Sequence, residues 1–441
     1  MKQTIYEYSS LLRSGAMKAE EAVQLILDDI AANNDTDHIF ITVSREIALQ
    51  QAAACDREFR DGKSGNILRG IPYTLKDMFK TAGVRTTGGS RVLEDYIPDE
   101  NAAIVDILND NGAVMLGKVN QYEFAHGATS FNPYYGDVCN PYDSTRVAGG
   151  SSSGSAAAVA KGYGLFSIGT DTGGSVRVPA ALCGLVGFKP TYGALPSDGM
   201  IPYCWSLDHP GIIANTAKDT RIVFEVLNGM DTSESDTINL KGIRIGIPEH
   251  FFYDDLDPEI SAAMEDVFER YRNLGAELVS VTLPDLSDSR TASLVIQLPE
   301  ILSSHSTYLK DRSNLYSEEL KAGMAAGQFI LAEQYLTAKR VANYYKNEIS
   351  KVFSQVDLLL TPSTPCLAPT FEQTNVRIGE VEMPAGNAVT RFFSIFNMTG
   401  MPAVTVPSGF SSSGLPIGHQ LIAAIGQDVF LMRTAEAFED I

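Results

Sequence analysis

The 441-residue sequence predicts an α/β protein with a mixed central β-sheet covered by helices on both faces. Three observations lead to that reading. Short apolar runs rich in β-branched residues alternate with helix-period segments along the whole length. Between Gly70 and about Asn215 the turns that separate them are rich in glycine. No Pro/Gly/Ser-rich linker divides the chain, so a single domain over 1–441 is expected, with a helical excursion at about 300–353.

The elements follow in order. Val23, Ile26, Leu27 and Ile30 stand at i, i+3, i+4 and i+7, opposite Glu20, Glu21, Asp28 and Asp29, which makes an amphipathic helix after the break at Ser14-Gly15. Phe40 to Val43 reads as a strand and Ala48 to Phe59 as a helix. Ile71-Pro72-Tyr73-Thr74-Leu75 reads as a strand entering the interior. Ala113 to Gly117 and Leu165 to Gly169 are further strands, while Ile104 to Asn109 and Ser155 to Ala160 are helical. Strand Ile243 to Ile247 leads to Pro248 and an amphipathic helix over 258–274. Glu300 to Phe353 carries no strand signal. Val356 to Leu360, Ala403 to Val406 and Ile417 to Ile425 are strands, and Val429 to Phe438 a last helix. Ser408 to Gly414 reads as a surface hairpin.

Composition narrows the function classes. A hydrophobic fraction of 44% and a charged fraction of 20% describe a globular chain, and no apolar run reaches the ~18 residues of a membrane span. The start, MKQTIYEYSSLL, has an acidic residue where an export signal needs an apolar centre. Five scattered cysteines form no CxxC pair and no metal-ligand spacing with histidine, which fits reduced thiols in a cytoplasmic protein without a metal site. The net charge of −20 opposes direct binding of nucleic acid or anionic membrane and leaves open a place beside a basic partner protein.

The most informative stretch is VAGGSSSGSAAAVAKGYGLFSIGTDTGGSVRVPAALCGLVGFK, residues 147–189. Its two glycine–serine clusters, Gly149-Gly150-Ser151 and Gly173-Gly174-Ser175, place their serines 24 positions apart with a helix and a strand between. Glycines let backbone N–H groups approach a substrate carbonyl, and a loop ahead of a helix supplies such donors. Ser175 follows a strand through Thr170-Asp171-Thr172-Gly173-Gly174 and precedes Pro179, which suits a first helical turn. That geometry makes Ser175 a candidate nucleophile above the amides of residues 172 to 175. Ser151 directly follows two glycines and is placed to stand between a base and the nucleophile. Ser152, Ser153 and Ser155 read as helix-capping residues. Lys76, at the end of the 71–75 strand, can serve as a base if burial lowers its pKa.

The segments GIPYTLKD, NPYDSTRVAGGSSSGSAAAVA and GTDTGGSVRVPAALCGLVGFKPTYG closely resemble the amidase signature family over roughly Gly70 to Asn215. DLLLTPSTP and FNMTGMPAVTVPSGFSSSGLPIGHQLIAA extend the likeness to nearly the whole chain. The resemblance implies the amidase signature fold, with Lys76 as catalytic base, Ser151 as bridging serine after a cis peptide, and Ser175 as nucleophile. It places the oxyanion loop on Thr172, Gly173, Gly174 and Ser175, and makes Ser152, Asp171 and Arg177 residues that brace the triad. No cofactor or metal is implied. One departure from the family pattern is Ser153, which stands where a glycine is usual.

The resulting expectation is an amidase that hydrolyses a small-molecule amide to a carboxylate plus ammonia or amine through an acyl-enzyme on Ser175, acting without direct nucleic-acid contact or membrane, with a homodimer left open. Aromatic residues near the site (Tyr203, Trp205, Phe131, Tyr134) lean toward aromatic or apolar acyl groups. An alternative is the glutamine-hydrolysing A subunit of a tRNA-dependent amidotransferase. Against it, Ala342 stands about where that subunit's glutamine-carboxylate arginine is expected, with Arg340 nearby. A third reading takes Gly150-Ser151-Ser152-Ser153-Gly154 as an α/β-hydrolase elbow with Ser152 as nucleophile. It lacks an apolar strand before the elbow and any histidine in a recognisable motif. His126, in EFAHG, reads as a pocket or structural residue.

Overall fold

The computed structural model describes residues 3–63, 65–232 and 238–439. Its strands are β1 (Phe40–Val43), β2 (Pro72–Lys76), β3 (Val114–Val119), β4 (Cys139–Asn140), β5 (Asp143–Val147), β6 (Phe166–Asp171), β7 (Val186–Lys189), β8 (His209–Ala214), β9 (Arg244–Pro248), β10 (Glu277–Val281), β11 (Leu358–Pro362), β12 (Asn375–Ile378), β13 (Val381–Pro384), β14 (Ala403–Phe410) and β15 (Pro416–Ala423). Eleven of them form one mixed sheet in the order β1-β3-β2-β6-β8-β7-β14-β15-β11-β9-β10, while β4–β5 and β12–β13 are separate hairpins. Strand β2 runs parallel to both β3 and β6, and β9 runs parallel to β10 and β11. The remaining sheet pairings are antiparallel.

Both faces of this sheet are covered, and the alternation along single strands shows how. Leu358 and Leu360 of β11 join one hydrophobic cluster, and Leu359 between them joins another. Val404 and Val406 of β14 likewise separate from Ala403, and Leu421 and Ala423 of β15 from Ile422. Successive strand side chains point to opposite faces, so two clusters mean two covered faces. The first gathers Val23, Leu27, Ala157, Val223, Met264 and Leu431 from helices spread along the whole chain. The second gathers Ile296, Leu320, Met324, Tyr345 and Ile349 from the helices Ser289–His305, Glu318–Gly327 and Ala332–Val352.

Central strands β2, β3, β6 and β8 are buried at every position, as a strand covered on both faces must be. Two of them position the site. The parallel register Tyr73↔Phe166, Thr74↔Ser167, Leu75↔Ile168 brings the carboxyl ends of β2 and β6 side by side, so Lys76 and Thr170 leave the sheet together. Strand β8, which opens His209-Pro210-Gly211, pairs with β6 from Asp171 back to Phe166. Pro and Gly disguise it in the sequence, yet Pro210 is accommodated in the middle of the sheet. The 408–414 segment is the tip of the β14–β15 hairpin, closed by the Ser411 amide donating to the Leu415 carbonyl at 2.8 Å. The segment before the Gly150–Gly154 elbow, Ser144 to Gly149, lacks an apolar strand pattern in the sequence; its first residues belong to β5, whose partner is the short β4 and not the central sheet.

Candidate active site

Lys76 ends β2 with its side chain wholly buried. Its Nζ lies 2.7 Å from Ser151 Oγ and 2.7 Å from Thr170 Oγ1. Burial pulls its pKa down to about 7, against the opposing charges of Asp208 and Asp171. An amine that titrates near neutrality can hold or take a proton.

Ser151 sits where the chain turns from β5 into the helix Ser153–Lys161, and the Gly150–Ser151 peptide bond is cis. A Cβ at Gly150 would run into the carbonyl oxygen of Thr129, so only glycine fits there. Ser152 is buried, with its hydroxyl donating to the Thr170 carbonyl at 3.2 Å, and so is committed to holding the loop. Its backbone N–H donates to the Ser175 carbonyl at 3.2 Å, which ties the two serine clusters together. Ser153 begins the helix in ordinary helical backbone. A Cβ there is tolerated, although its buried hydroxyl finds no hydrogen-bond partner.

The loop after β6 is organised by Asp171. One carboxylate oxygen accepts from the Gly174 amide at 2.9 Å and the other from the Val176 amide at 3.1 Å. Arg177 donates to the same carboxylate through Nε at 3.0 Å and Nη2 at 2.9 Å, with Asn397 Nδ2 adding a further bond at 2.8 Å. Burial alone would raise this carboxyl's pKa, but the guanidinium and these donors hold it well below the usual carboxylate range. Arg177 is fixed in turn by Gln420 and Asn397 oxygens, each at 2.7 Å. The Gly174 amide is therefore occupied by Asp171, which removes it from the four donors the sequence implied and leaves those of Thr172, Gly173 and Ser175. Gly174 also needs its residue type: it holds φ +119°, and a Cβ would meet Phe393.

Ser175, Thr172 and Gly173 face a cavity of about 370 Å³. No direct hydrogen bond joins the Ser151 and Ser175 side chains among the described contacts, although both loops close on the same point. The wall is more polar than the sequence implied. Tyr203 and Tyr122 line it, whereas Trp205 and Phe131 are exposed side chains that, like Tyr134, are not part of the lining. Tyr203 donates to Gln297 Oε1 at 3.1 Å and meets His126 Nδ1 at 3.1 Å; burial pushes His126 down to about 4, so it stands as a neutral wall residue. Ala342 packs in the second core and Arg340 is exposed, so neither meets the cavity. The cation that does is Arg290, from the helix Ser289–His305, a position to which no sequence motif points. Thr170, Asp208, Asn397 and Gln420 were likewise missed. Asn397 and Gln420 fall inside the C-terminal run that carries the family likeness, which was the available signal. Among the described residues no group of three or more His, Cys, Asp or Glu could hold a metal, and no helix is long and apolar enough to cross a membrane.

A buried amine bonded to Ser151, next to a loop whose residues face a polar cavity with Ser175, is an arrangement suited to acyl-transfer chemistry. The chain belongs to the amidase family, whose family model matches residues 21–432, and it is an amide carbon–nitrogen hydrolase of the amidase signature type. Among its relatives, the A subunit of glutamyl-tRNA(Gln) amidotransferase from Geotalea daltonii is 37% identical over 99% of this chain and 96% of its own length. The same-named protein of Thioalkalivibrio sulfidiphilus is 35% identical over 100% of this chain and 97% of its own. Among solved structures, a chain from a vestigial protein complex that reveals the evolutionary origins of an s-triazine catabolic enzyme superposes with a TM-score of 0.93 at 31% identity, covering 99% of this chain and 98% of that one.

These relatives correct two expectations. The reading as a free-standing hydrolase of small amides gives way to the alternative, because full-length relatives are A subunits of an amidotransferase. The expectation of a small-molecule amide as partner, with no direct nucleic acid, is corrected by the same relatives, which are named as subunits of a glutamyl-tRNA(Gln) amidotransferase. The net charge of −20 bears only on direct phosphate contact by this chain, and it left open a place beside a basic partner protein.

Proposed function

We propose that the chain is the glutamine-hydrolysing A subunit of a tRNA-dependent amidotransferase, releasing ammonia for a partner protein that holds the glutamyl-tRNA. The observation that carries this reading is the likeness to amidotransferase A subunits over essentially the whole of both chains. The continuous eleven-stranded sheet supports treating 1–441 as one catalytic domain.

In this reading neutral Lys76 takes a proton from Ser151, which takes one from Ser175, and Ser175 Oγ attacks the side-chain amide carbon of glutamine. The developing oxyanion rests on the amides of Thr172, Gly173 and Ser175. The proton returns along the relay to the leaving nitrogen, the C–N bond breaks, and ammonia departs from a glutamyl ester on Ser175. Water then attacks that ester by the same relay and releases glutamate. Asp171, Arg177 and Ser152 keep the loops in register. The test is to assay glutamate release from glutamine, and conversion of glutamyl-tRNA(Gln), for the chain alone and co-purified with the products of neighbouring genes. Glutamine hydrolysis that is raised by a tRNA-binding partner and lost in Ser175→Ala is expected. No glutamine hydrolysis under either condition overturns the reading.

A further inference from the structure

Two buried arginines set the standard for this protein. Arg177 pairs with Asp171, and Arg221 lies between Glu225 and Glu436. Arg290 has no such partner. Its Nη1 donates to Thr390 Oγ1 at 3.0 Å and its Nη2 to Asn387 Oδ1 at 2.7 Å, both neutral acceptors. Its Nε is buried without a hydrogen-bond partner, and among the described residues no carboxylate reaches ion-pairing distance. Burial pulls its guanidinium below the ordinary value. Arg290 is half-buried, and a cation partly withdrawn from water without a counter-charge carries a cost that an anion in the cavity would offset.

The place where it waits is the cavity that Ser175 opens into, of which Arg290 is the one cationic lining residue among those described. The one acidic lining residue among them, Glu319, is held by the Tyr122 hydroxyl at 2.6 Å. Thr390 and Asn387 fix two of the guanidinium nitrogens, so the group is held in place at the cavity wall. A guanidinium held this way is suited to a carboxylate, which it meets with charge-assisted hydrogen bonds.

We propose that Arg290 is the specificity-determining residue of this cavity, binding the carboxylate of an amide substrate whose amide carbon lies at Ser175. The proposal rests on the reading of this cavity as the place of amide cleavage, and it narrows the substrate to amides with a carboxylate at the other end, glutamine among them.

The test uses the full chain carrying Ser175→Ala, titrated by calorimetry with glutaramate and with glutaramide, which differ only by a carboxylate against a second carboxamide. Glutaramate is expected to bind and to bind more tightly than glutaramide. Arg290→Gln in the same background is expected to lose about a hundredfold in glutaramate affinity and the preference with it, while Arg290→Lys keeps part of both. Equal affinities for the two ligands, no glutaramate binding, or a preference that survives Arg290→Gln each overturn the proposal. The first comparison leaves position 290 untouched, so a variant that does not fold cannot shield it. Glutamine turnover separates the two readings. If the preference depends on Arg290 while glutamine is never hydrolysed, the amidotransferase reading fails and the carboxylate anchor stands. If glutamine is hydrolysed and the preference is absent, the anchor fails alone.

Discussion

Lys76 Nζ stands 2.7 Å from Ser151 Oγ, with both side chains wholly buried and Thr170 Oγ1 as the amine's other neighbour. No carboxylate lies within ion-pairing distance of this lysine among the described residues, so burial outweighs the more distant Asp208 and Asp171 and its pKa falls to about 7. The sign of the pH dependence follows. Above about 7 the amine is neutral and can take a proton; below it the ammonium cannot. We expect kcat/KM for glutamine to fall about tenfold per pH unit on the acid side. Lys76→Ala should lose about 10²- to 10⁴-fold in rate and the acid limb with it. A limb unchanged in that variant would assign the titration to another group.

Ser175 and Ser152 part company in their surroundings, and that difference predicts a labelling pattern. Ser175 lines the cavity, whereas the Ser152 hydroxyl is bonded to the Thr170 carbonyl. A fluorophosphonate probe is expected to form its adduct within residues 170–189, and Ser175→Ala should abolish both labelling and turnover. Ser151→Ala should slow the reaction yet leave some adduct, because the attacking oxygen and its amide donors remain. An adduct mapped to residues 147–161 would sink the assignment of Ser175.

Much of this arrangement was legible in the sequence, for reasons that can be stated. Lys76, Ser151 and Ser175 each sit at a strand end or helix start, marked by an apolar run and glycines within a few residues. The elements over 103–110, 153–161 and 166–171 matched their expected positions closely because their periodicity is uninterrupted. Strand β8 was not seen, because Pro210 and Gly211 argue locally against a strand and only its neighbours β6 and β7 make it one. Arg290, Asp208 and Asn397 reach the site from remote elements, and a contact between residues far apart in the chain leaves no local pattern. The Gly174 amide shows another limit: a glycine-rich loop displays its donors in the sequence, but not which of them Asp171 occupies.

The Asp171–Arg177 pair should dominate the stability of the site. Both side chains are wholly buried, and the carboxylate receives bonds from the Arg177 and Asn397 side chains and from three backbone amides. Arg177→Met leaves that charge without its cation, a change expected to cost about 3–5 kcal/mol. Asn397→Leu removes a neutral donor and should cost about 1–3 kcal/mol. Urea denaturation of the two variants gives both numbers. Equal, small losses would mean that Asp171 is neutralised by something other than Arg177.

Ser153 offers a change in the opposite direction. It starts the helix Ser153–Lys161, it is wholly buried, and its hydroxyl has no hydrogen-bond partner. An unmet buried hydroxyl costs about 1–3 kcal/mol, and alanine is also the better helix former. Ser153→Ala keeps the Cβ and its packing while removing the polar atom, so it should raise stability by about 1 kcal/mol with little change in kcat. Ser153→Gly restores the residue usual in the family but gives up helix propensity, roughly 1 kcal/mol against alanine, and should be the less stable of the two. Thermal melts of the parent and both variants decide the matter. A fall in stability for Ser153→Ala would show that the hydroxyl has a partner, a bound water being the simplest, and that the serine stabilises the helix start it was expected to weaken.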